Sequence, residues 1–298
     1  MKSYTLSSLA CLSFSGCDYN CHPNLGTTTA SAYPTPTTNE FKYVNYNEKS
    51  DEDKGDRFIV HSAFLPFAEI LQAGVDAVVD TADDTYKRWF PEEVDQPNNK
   101  SQVDGRDYVG SVYRRLLAPG ATPTPQPRVT RLVHDHDDFE HECEPYDQAY
   151  MVGAEGKFHV CKPEGLIDQP MIAAPANCSH FGELVSDDMD SLSGTLIHEF
   201  MHWNEVGDKV ANSVGYITDV VYGSSTCMRL AKGGSSQKTF INADSYMWMA
   251  LNAYYNKVCN KKFGDPEVTK KDFDKGEARL LASREYDPAV SDGVLAGV

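Results

Sequence analysis

A seven-residue stretch, residues 196–202, contains two histidines four positions apart, with a glutamate directly after the first. In an α-helix, residues four apart lie on one face, so the imidazoles of His198 and His202 can reach the same cation. Neutral histidines suit Zn²⁺, and Glu199 lies one step round the helix, where it can hold a water molecule. Zinc lowers the pKa of bound water to about 7, and the glutamate can accept the proton as the water attacks a carbonyl. The pattern predicts a hydrolytic zinc site.

The helix that must present these histidines is predicted over residues 191–204, since apolar residues recur along one side of it. An ordinary amphipathic helix with two exposed histidines is the alternative interpretation. The same periodicity predicts helices over residues 67–89, 108–117 and 239–259, and alternation predicts a strand over residues 157–161. The expected fold class is therefore α+β, mostly helical, with a small sheet of short strands.

A catalytic zinc ion needs a third protein ligand and an open fourth position. The metzincin pattern would need glycine and histidine where Glu205 and Asp208 stand. A gluzincin would supply a glutamate from a second helix, but the downstream glutamates lie in a polar tail. The remaining candidate is Asp219, which follows His202 by seventeen residues.

Asp219 lies in the segment GYITDVVYG, residues 215–223, which resembles the GTxxDxxYG motif of the aspzincins, the deuterolysin and peptidyl-Lys metallopeptidase family. Four of the five fixed positions match, and Tyr216 stands where the family has threonine. Downstream, residues 242–246 read NADSY and resemble the family's NADxY helix, while Cys227 is placed as in the peptidyl-Lys branch. The resemblance covers about residues 58–259 and is specific between residues 196 and 250.

The resemblance implies a zincin-like metallopeptidase domain that holds one catalytic Zn²⁺. It implies that His198, His202 and Asp219 are the metal ligands and that Glu199 is the general base. It also places Tyr222 near the substrate carbonyl, where its hydroxyl could stabilise the oxyanion; a packed aromatic residue is the alternative.

Two further positions stay open at this stage. Asp244 could cap a helix or orient a ligand histidine, and of the two a cap or a structural hydrogen bond is the favoured interpretation. The departure at Tyr216 bears on substrate choice or loop shape rather than on zinc, because the family's threonine is not a ligand.

The charge balance excludes some partners. Forty-four acidic and 27 basic residues give a formal net charge of −17, which argues against nucleic acid or an anionic membrane as partner. No run approaches about 18 apolar residues, so no membrane span is predicted. Protein or peptide substrates are expected, basic ones included, and the protein is expected to be a monomer. Residues 134–142 are rich in histidine and carboxylates, and a solvated acidic loop is favoured there over a second cation site.

The termini and the cysteines suggest a secreted, extracellular protein. Residues 1–57 are predicted to be a signal-like leader followed by a Thr/Pro-rich disordered segment, residues 58–264 the metallopeptidase domain, and residues 265–298 a polar tail. Eight scattered cysteines favour disulfides, although cleavage after Cys11 or after Cys21 leaves an odd number.

Two functions of different class follow. The first is a secreted zinc-dependent endopeptidase with Glu199 as general base. The alternative is a secreted protein that binds or scavenges zinc on the same scaffold without catalysis. The presence of Glu199 favours the enzyme.

Overall fold

Helices dominate the computed structural model, which describes residues 42–64, 66–95, 103–117, 133–135, 143, 149–161, 178–210 and 212–267. The α-helices in these ranges are α1 (Asp51–Ala63), α2 (Phe67–Val79), α3 (Thr85–Trp89), α4 (Gly105–Leu116), α5 (Leu192–Met201), α6 (Ser224–Lys232) and α7 (Ala243–Val258). The strands are β1 (Lys42–Val44), β2 (Glu93–Val94), β3 (Val103–Asp104), β4 (Val133–Asp135), β5 (Ala149–Val152) and β6 (Lys157–Val160). The expected α+β class, mostly helical with a small sheet of short strands, is confirmed.

The larger sheet packs against α5. Its strand order is β1-β4-β6-β5, with β1, β4 and β6 parallel and β5 antiparallel to β6. Phe158 on β6 is buried, and its ring centroid lies 5.3 Å from that of Phe200 on α5. This contact fixes α5 against the sheet. Strands β2 and β3 form a separate antiparallel pair.

The core is built around α7, whose run of aromatic and methionine residues is buried, as expected for a core stripe. Trp248 stacks on Trp89 of α3, with ring centroids 6.4 Å apart. Tyr113 of α4 is buried and donates a hydrogen bond to the Tyr246 carbonyl at 2.6 Å. Because α7 is surrounded by other elements, its N-terminal end is held firmly in the interior. None of the described helices is long and apolar enough to cross a membrane.

The predicted helices and the strand are present, but several helices differ in extent. The helix expected over residues 191–204 ends at Met201, with His202 as its C-cap. The helix expected over residues 67–89 is divided into α2 and α3, because Asp83 accepts hydrogen bonds from the backbone and hydroxyl of Thr85 and starts a new helix there. The helix expected over residues 239–259 begins as a 3₁₀ segment, Ser236–Ile241, and becomes α-helical only at Ala243.

Ordered structure also begins earlier than the predicted boundary at residue 58. Strand β1 pairs with β4, and α1 starts at Asp51 inside a stretch whose charge argued against packing. The charges are accommodated locally: Lys54 pairs with Asp51 at 3.0 Å, while Asp53 accepts from the Asn47 backbone at 2.8 Å. Val60, which lies on one face of the same helix, is fully buried. The leader and most of the C-terminal tail lie outside the described residues.

Two disulfides and one thiol account for the cysteines of the described residues. Cys143 is bonded to Cys161, and Cys178 to Cys259, whereas Cys227 is free and buried. Among the described cysteines, Cys227 is the one outside a disulfide; Cys11, Cys17 and Cys21 precede the described residues. Disulfides of this kind indicate an oxidising compartment.

The two disulfides should differ in their contribution to stability. The Cys178–Cys259 bond closes a loop of 81 residues and the Cys143–Cys161 bond one of 18. Loop-closure entropy then predicts a loss of about 4 kcal/mol in the free energy of unfolding for Cys178→Ser/Cys259→Ser, and about 3 kcal/mol for Cys143→Ser/Cys161→Ser. Urea unfolding of both double variants measures the two losses in the free energy of unfolding. A larger loss for the variant without the Cys143–Cys161 bond contradicts the prediction.

Candidate metal centre

Helix α5 carries His198 in its last turn and ends with His202 as its C-cap residue, so both histidines lie in the interior. Ser191 caps its N-terminus by accepting a hydrogen bond from the Gly194 backbone at 3.2 Å. Ser193 donates to the Ala63 carbonyl at 2.7 Å, which ties α5 to the end of α1. His198 and His202 are 6% and 9% exposed. Such burial does not fit an amphipathic helix with exposed histidines, so that alternative is excluded.

The loop between α5 and α6 brings Asp219 to the histidines. One Asp219 carboxylate oxygen lies 3.0 Å from His198 Nε2, and the other lies 3.3 Å from His202 Nε2. The two Nε2 atoms are themselves 3.3 Å apart. Ligand atoms from the three residues all lie within 4.8 Å of one another, as a single cation requires. The structure thus brings together the three residues that the sequence proposes as ligands.

Each histidine is oriented by a hydrogen bond at its other ring nitrogen. His198 Nδ1 donates to Asp244 at 2.5 Å, and His202 Nδ1 donates to the Ile217 carbonyl at 3.0 Å. Both Nε2 atoms are thereby turned toward Asp219, which is the arrangement typical of metal-binding histidines. Asp244 consequently orients His198. Of the favoured interpretation, the structural hydrogen bond is present and the cap is not, because Asn242 is the N-cap residue of α7.

The histidines and carboxylates of the cluster shift one another's pKa values. Burial acts to lower the pKa of His198, but the carboxylates of Asp244 and Asp219 outweigh it and hold that pKa well above its usual value. Burial acts to raise the pKa of Asp219, yet hydrogen bonds from His198 and His202 hold it well below its usual value. Burial raises the pKa of Glu199 to about 7 against the opposing effect of both histidines. Several carboxylates facing two histidines create a field that favours a cation.

Glu199 lies beside the ligand cluster. Its carboxylate is 3.9 Å from His198 Nε2, and the residue is 7% exposed. It is therefore close enough to act on a molecule held between the histidines, which is what the sequence pattern requires of a base.

Two half-exposed tyrosines flank the histidines. The Tyr222 ring stacks on His198, with centroids 5.6 Å apart and planes at 20°, and the residue is 41% exposed. The Tyr216 ring lies 6.4 Å from that of His202, and the residue is 38% exposed. Burial and the neighbouring Asp219 carboxylate raise the pKa of Tyr222, so its hydroxyl stays protonated at neutral pH. Tyr222 is thus partly exposed and also packed against His198, and its role near the substrate carbonyl stays a prediction.

The donor set fits zinc. Two imidazole nitrogens and one carboxylate oxygen are the ligand types of catalytic zinc sites, and three protein ligands leave a position for water or substrate. The hydrogen-bonded Nδ1 atoms supply the outer contacts that such ligands need. A second group of residues, Cys143, His159 and Cys161, also lies close together, but its two sulfurs are bonded to each other. Residues 136–142 of the acidic segment lie outside the described residues.

One important residue was missed by the sequence reasoning. Asn242 is fully buried and accepts hydrogen bonds from the backbone of both Val220 and Val221, next to Asp219. The NADxY resemblance pointed to this position without indicating its contacts.

Comparisons with known proteins give matches among solved structures. No protein-family model and no curated protein sequence matches the chain. Among solved structures the chain is similar to a zinc peptidase from Grifola frondosa, with a TM-score of 0.43 and 17% sequence identity. The similarity covers 66% of this chain and 94% of that chain.

Proposed function

We propose that this protein is a secreted, zinc-dependent endopeptidase of the aspzincin type. The observation that supports the proposal is the convergence of His198, His202 and Asp219 with Glu199 beside them on a buried helix. His198 and His202 come from one motif and Asp219 from a second, and these two motifs and the NADSY segment occur in the family's order.

The roles of the chain's residues follow from their positions. His198, His202 and Asp219 would hold one Zn²⁺, which supplies a Lewis acid that brings the pKa of a bound water to about 7. Glu199 takes a proton from the attacking water and returns it to the leaving amine. Tyr222 donates a hydrogen bond to the carbonyl oxygen of the substrate as negative charge develops there. Asp244 and Ile217 keep the two imidazoles oriented throughout.

The proposed substrates are proteins or peptides, with a preference for basic residues. A net charge of −17 attracts cationic peptides over a distance of about one Debye length, roughly 8 Å at physiological salt. The disulfides favour secretion into an extracellular medium, where the protein acts as a monomer.

Tyr222→Phe is expected to lower kcat by about 10²-fold or more, because it removes one donor to the developing oxyanion and keeps the ring that stacks on His198. KM and the zinc content should change little. Steady-state kinetics on a cleaved peptide and metal analysis give the three values. Tyr216→Phe is the matched control, since it removes a hydroxyl on the other side of the site; an equal loss in both variants speaks against an oxyanion role.

Metal analysis combined with mass-spectrometric mapping of cleavage sites tests the function itself. We expect one zinc per chain and cleavage of a denatured protein at a restricted set of bonds, enriched in lysine or arginine. Protein that holds one zinc and cleaves nothing over a broad pH range supports the zinc-scavenging alternative. Protein that binds no zinc contradicts both.

A further inference from the structure

We infer that Asn242 is a positioning residue that holds Asp219 in reach of the two histidines. The inference rests on the proposed zinc site and concerns how the chain builds it. Asp219 lies on a loop rather than on a helix, so something outside the loop must fix its carboxylate.

The loop is held from both sides of Asp219. On the N-terminal side, the Thr218 backbone donates to the Ile241 carbonyl at 2.8 Å and accepts from the Ala243 backbone at 2.9 Å. This is a single β-bridge, in which Thr218 pairs with Asn242. On the C-terminal side, the loop is bound by a side chain and not by backbone pairing. Asn242 Oδ1 accepts hydrogen bonds from both Val220 N and Val221 N, each at 2.9 Å.

The orientation of the Asn242 amide is fixed by its other contacts. Its Nδ2 donates to Ser245 Oγ at 2.9 Å and to Cys227 Sγ at 3.4 Å. The oxygen therefore has to face the two loop N–H groups, since the nitrogen carries only donors. With both lone pairs and both N–H bonds used, and with the residue fully buried, the side chain has one available position.

The same short segment also orients His198. Asp244 accepts from His198 with one oxygen and from the Gly223 backbone with the other, at 2.5 and 2.6 Å. Residues 242–244 thus connect the helix that carries His198 to the loop that carries Asp219. Within this segment, Asn242 is the residue that positions Asp219. It does so by binding the backbone directly after Asp219, whereas Thr218 lies directly before it.

Loss of the Asn242 oxygen should leave two N–H groups without their partner and loosen the loop at Asp219. Contacts of this kind around metal ligands are typically worth about 10–100-fold in metal affinity. Asn242→Ala should accordingly bind Zn²⁺ about 10–100-fold more weakly. Asn242→Asp keeps an acceptor oxygen for the two loop N–H groups, and Ser245 Oγ can donate to its second oxygen, so it should bind Zn²⁺ more tightly than Asn242→Ala.

The test uses the full chain and two readouts that do not depend on catalysis. Competition with a chromophoric chelator measures the Kd for Zn²⁺ in wild type, Asn242→Ala, Asn242→Asp and Ser245→Ala. Hydrogen exchange of the zinc-free proteins measures protection of the Val220 and Val221 amides. We expect slow exchange of these amides in wild type and Asn242→Asp, and fast exchange in Asn242→Ala. Ser245→Ala should bind Zn²⁺ with near-normal affinity, because Asn242 loses one partner of its Nδ2 but keeps both hydrogen bonds to the loop.

Wild-type affinity in a folded Asn242→Ala protein overturns the inference. If that variant does not fold, rapid exchange of the Val220 and Val221 amides in the wild-type protein overturns it instead. These outcomes are separate from the proposed function: zinc-loaded wild type that cleaves no peptide refutes the peptidase while leaving the affinity and exchange results valid.

Discussion

Replacing Glu199 by glutamine is expected to abolish peptide hydrolysis while zinc binding is kept. Glutamine has the size and shape of glutamate, so the buried position on α5 is filled as before. It cannot accept the proton of the attacking water, and general-base catalysis of this kind contributes about 10²–10⁴-fold to the rate. The measured kcat/KM should fall by at least that factor, and the zinc content should remain one per chain.

The matched control is Glu205→Gln, the same substitution a short distance along the chain. Glu205 pairs with Arg115 at 3.2 Å and is only partly buried, so it lies outside the ligand cluster. Its variant should cleave peptides at the wild-type rate. Residual activity above a few per cent in Glu199→Gln would mean that another group accepts the proton, and the assignment of the base would then be wrong.

The helix α5 shows what local sequence can predict. The spacing of His198 and His202 determines which face they share, and the apolar residues between them predict the buried side of the helix. Both properties depend only on helical periodicity, and the structure places the two Nε2 atoms 3.3 Å apart. Seven residues were accordingly enough to predict that both imidazoles lie on the same side.

The loop carrying Asp219 shows where such reasoning ends. A resemblance between motifs pointed to this aspartate, but nothing local in residues 215–223 determines where its carboxylate lies. That position depends on Asn242 and on the bridge between Thr218 and Asn242, which are tertiary contacts over more than twenty residues. For the same reason the role of Asp244 could not be decided from its place near a helix start.

The N-terminal boundary and the unpaired cysteine were missed for a different reason. Composition suggested that the charged residues before position 58 do not pack, but α1 requires only one buried face, and its charges pair with neighbours on the other. Cysteine counting showed that one thiol is left over without showing which. Among the cysteines that the structure describes, the free one is Cys227, which is buried beside Asn242.

Asp219→Asn is expected to lose most of the zinc affinity. The carboxylate of Asp219 faces both Nε2 atoms, at 3.0 and 3.3 Å, and it is the only one of the three proposed ligands that can carry a negative charge. A neutral amide keeps the size of the side chain but gives up the negative charge that attracts Zn²⁺. The affinity should fall by more than the roughly 10–100-fold that loss of an outer contact costs.

The loss should also appear in stability, because zinc bound to the folded state alone stabilises it by mass action. At a free zinc concentration 1,000 times Kd, the wild-type protein gains about 4 kcal/mol, which corresponds to an increase in Tm of roughly 10 °C. Asp219→Asn should show little of this increase at the same zinc concentration. Asp208→Asn, which neutralises an exposed aspartate of the preceding loop, should show all of it. If both variants respond to zinc as the wild type does, the third ligand is not Asp219, and the aspzincin assignment loses its distinguishing residue even though both histidines still bind metal.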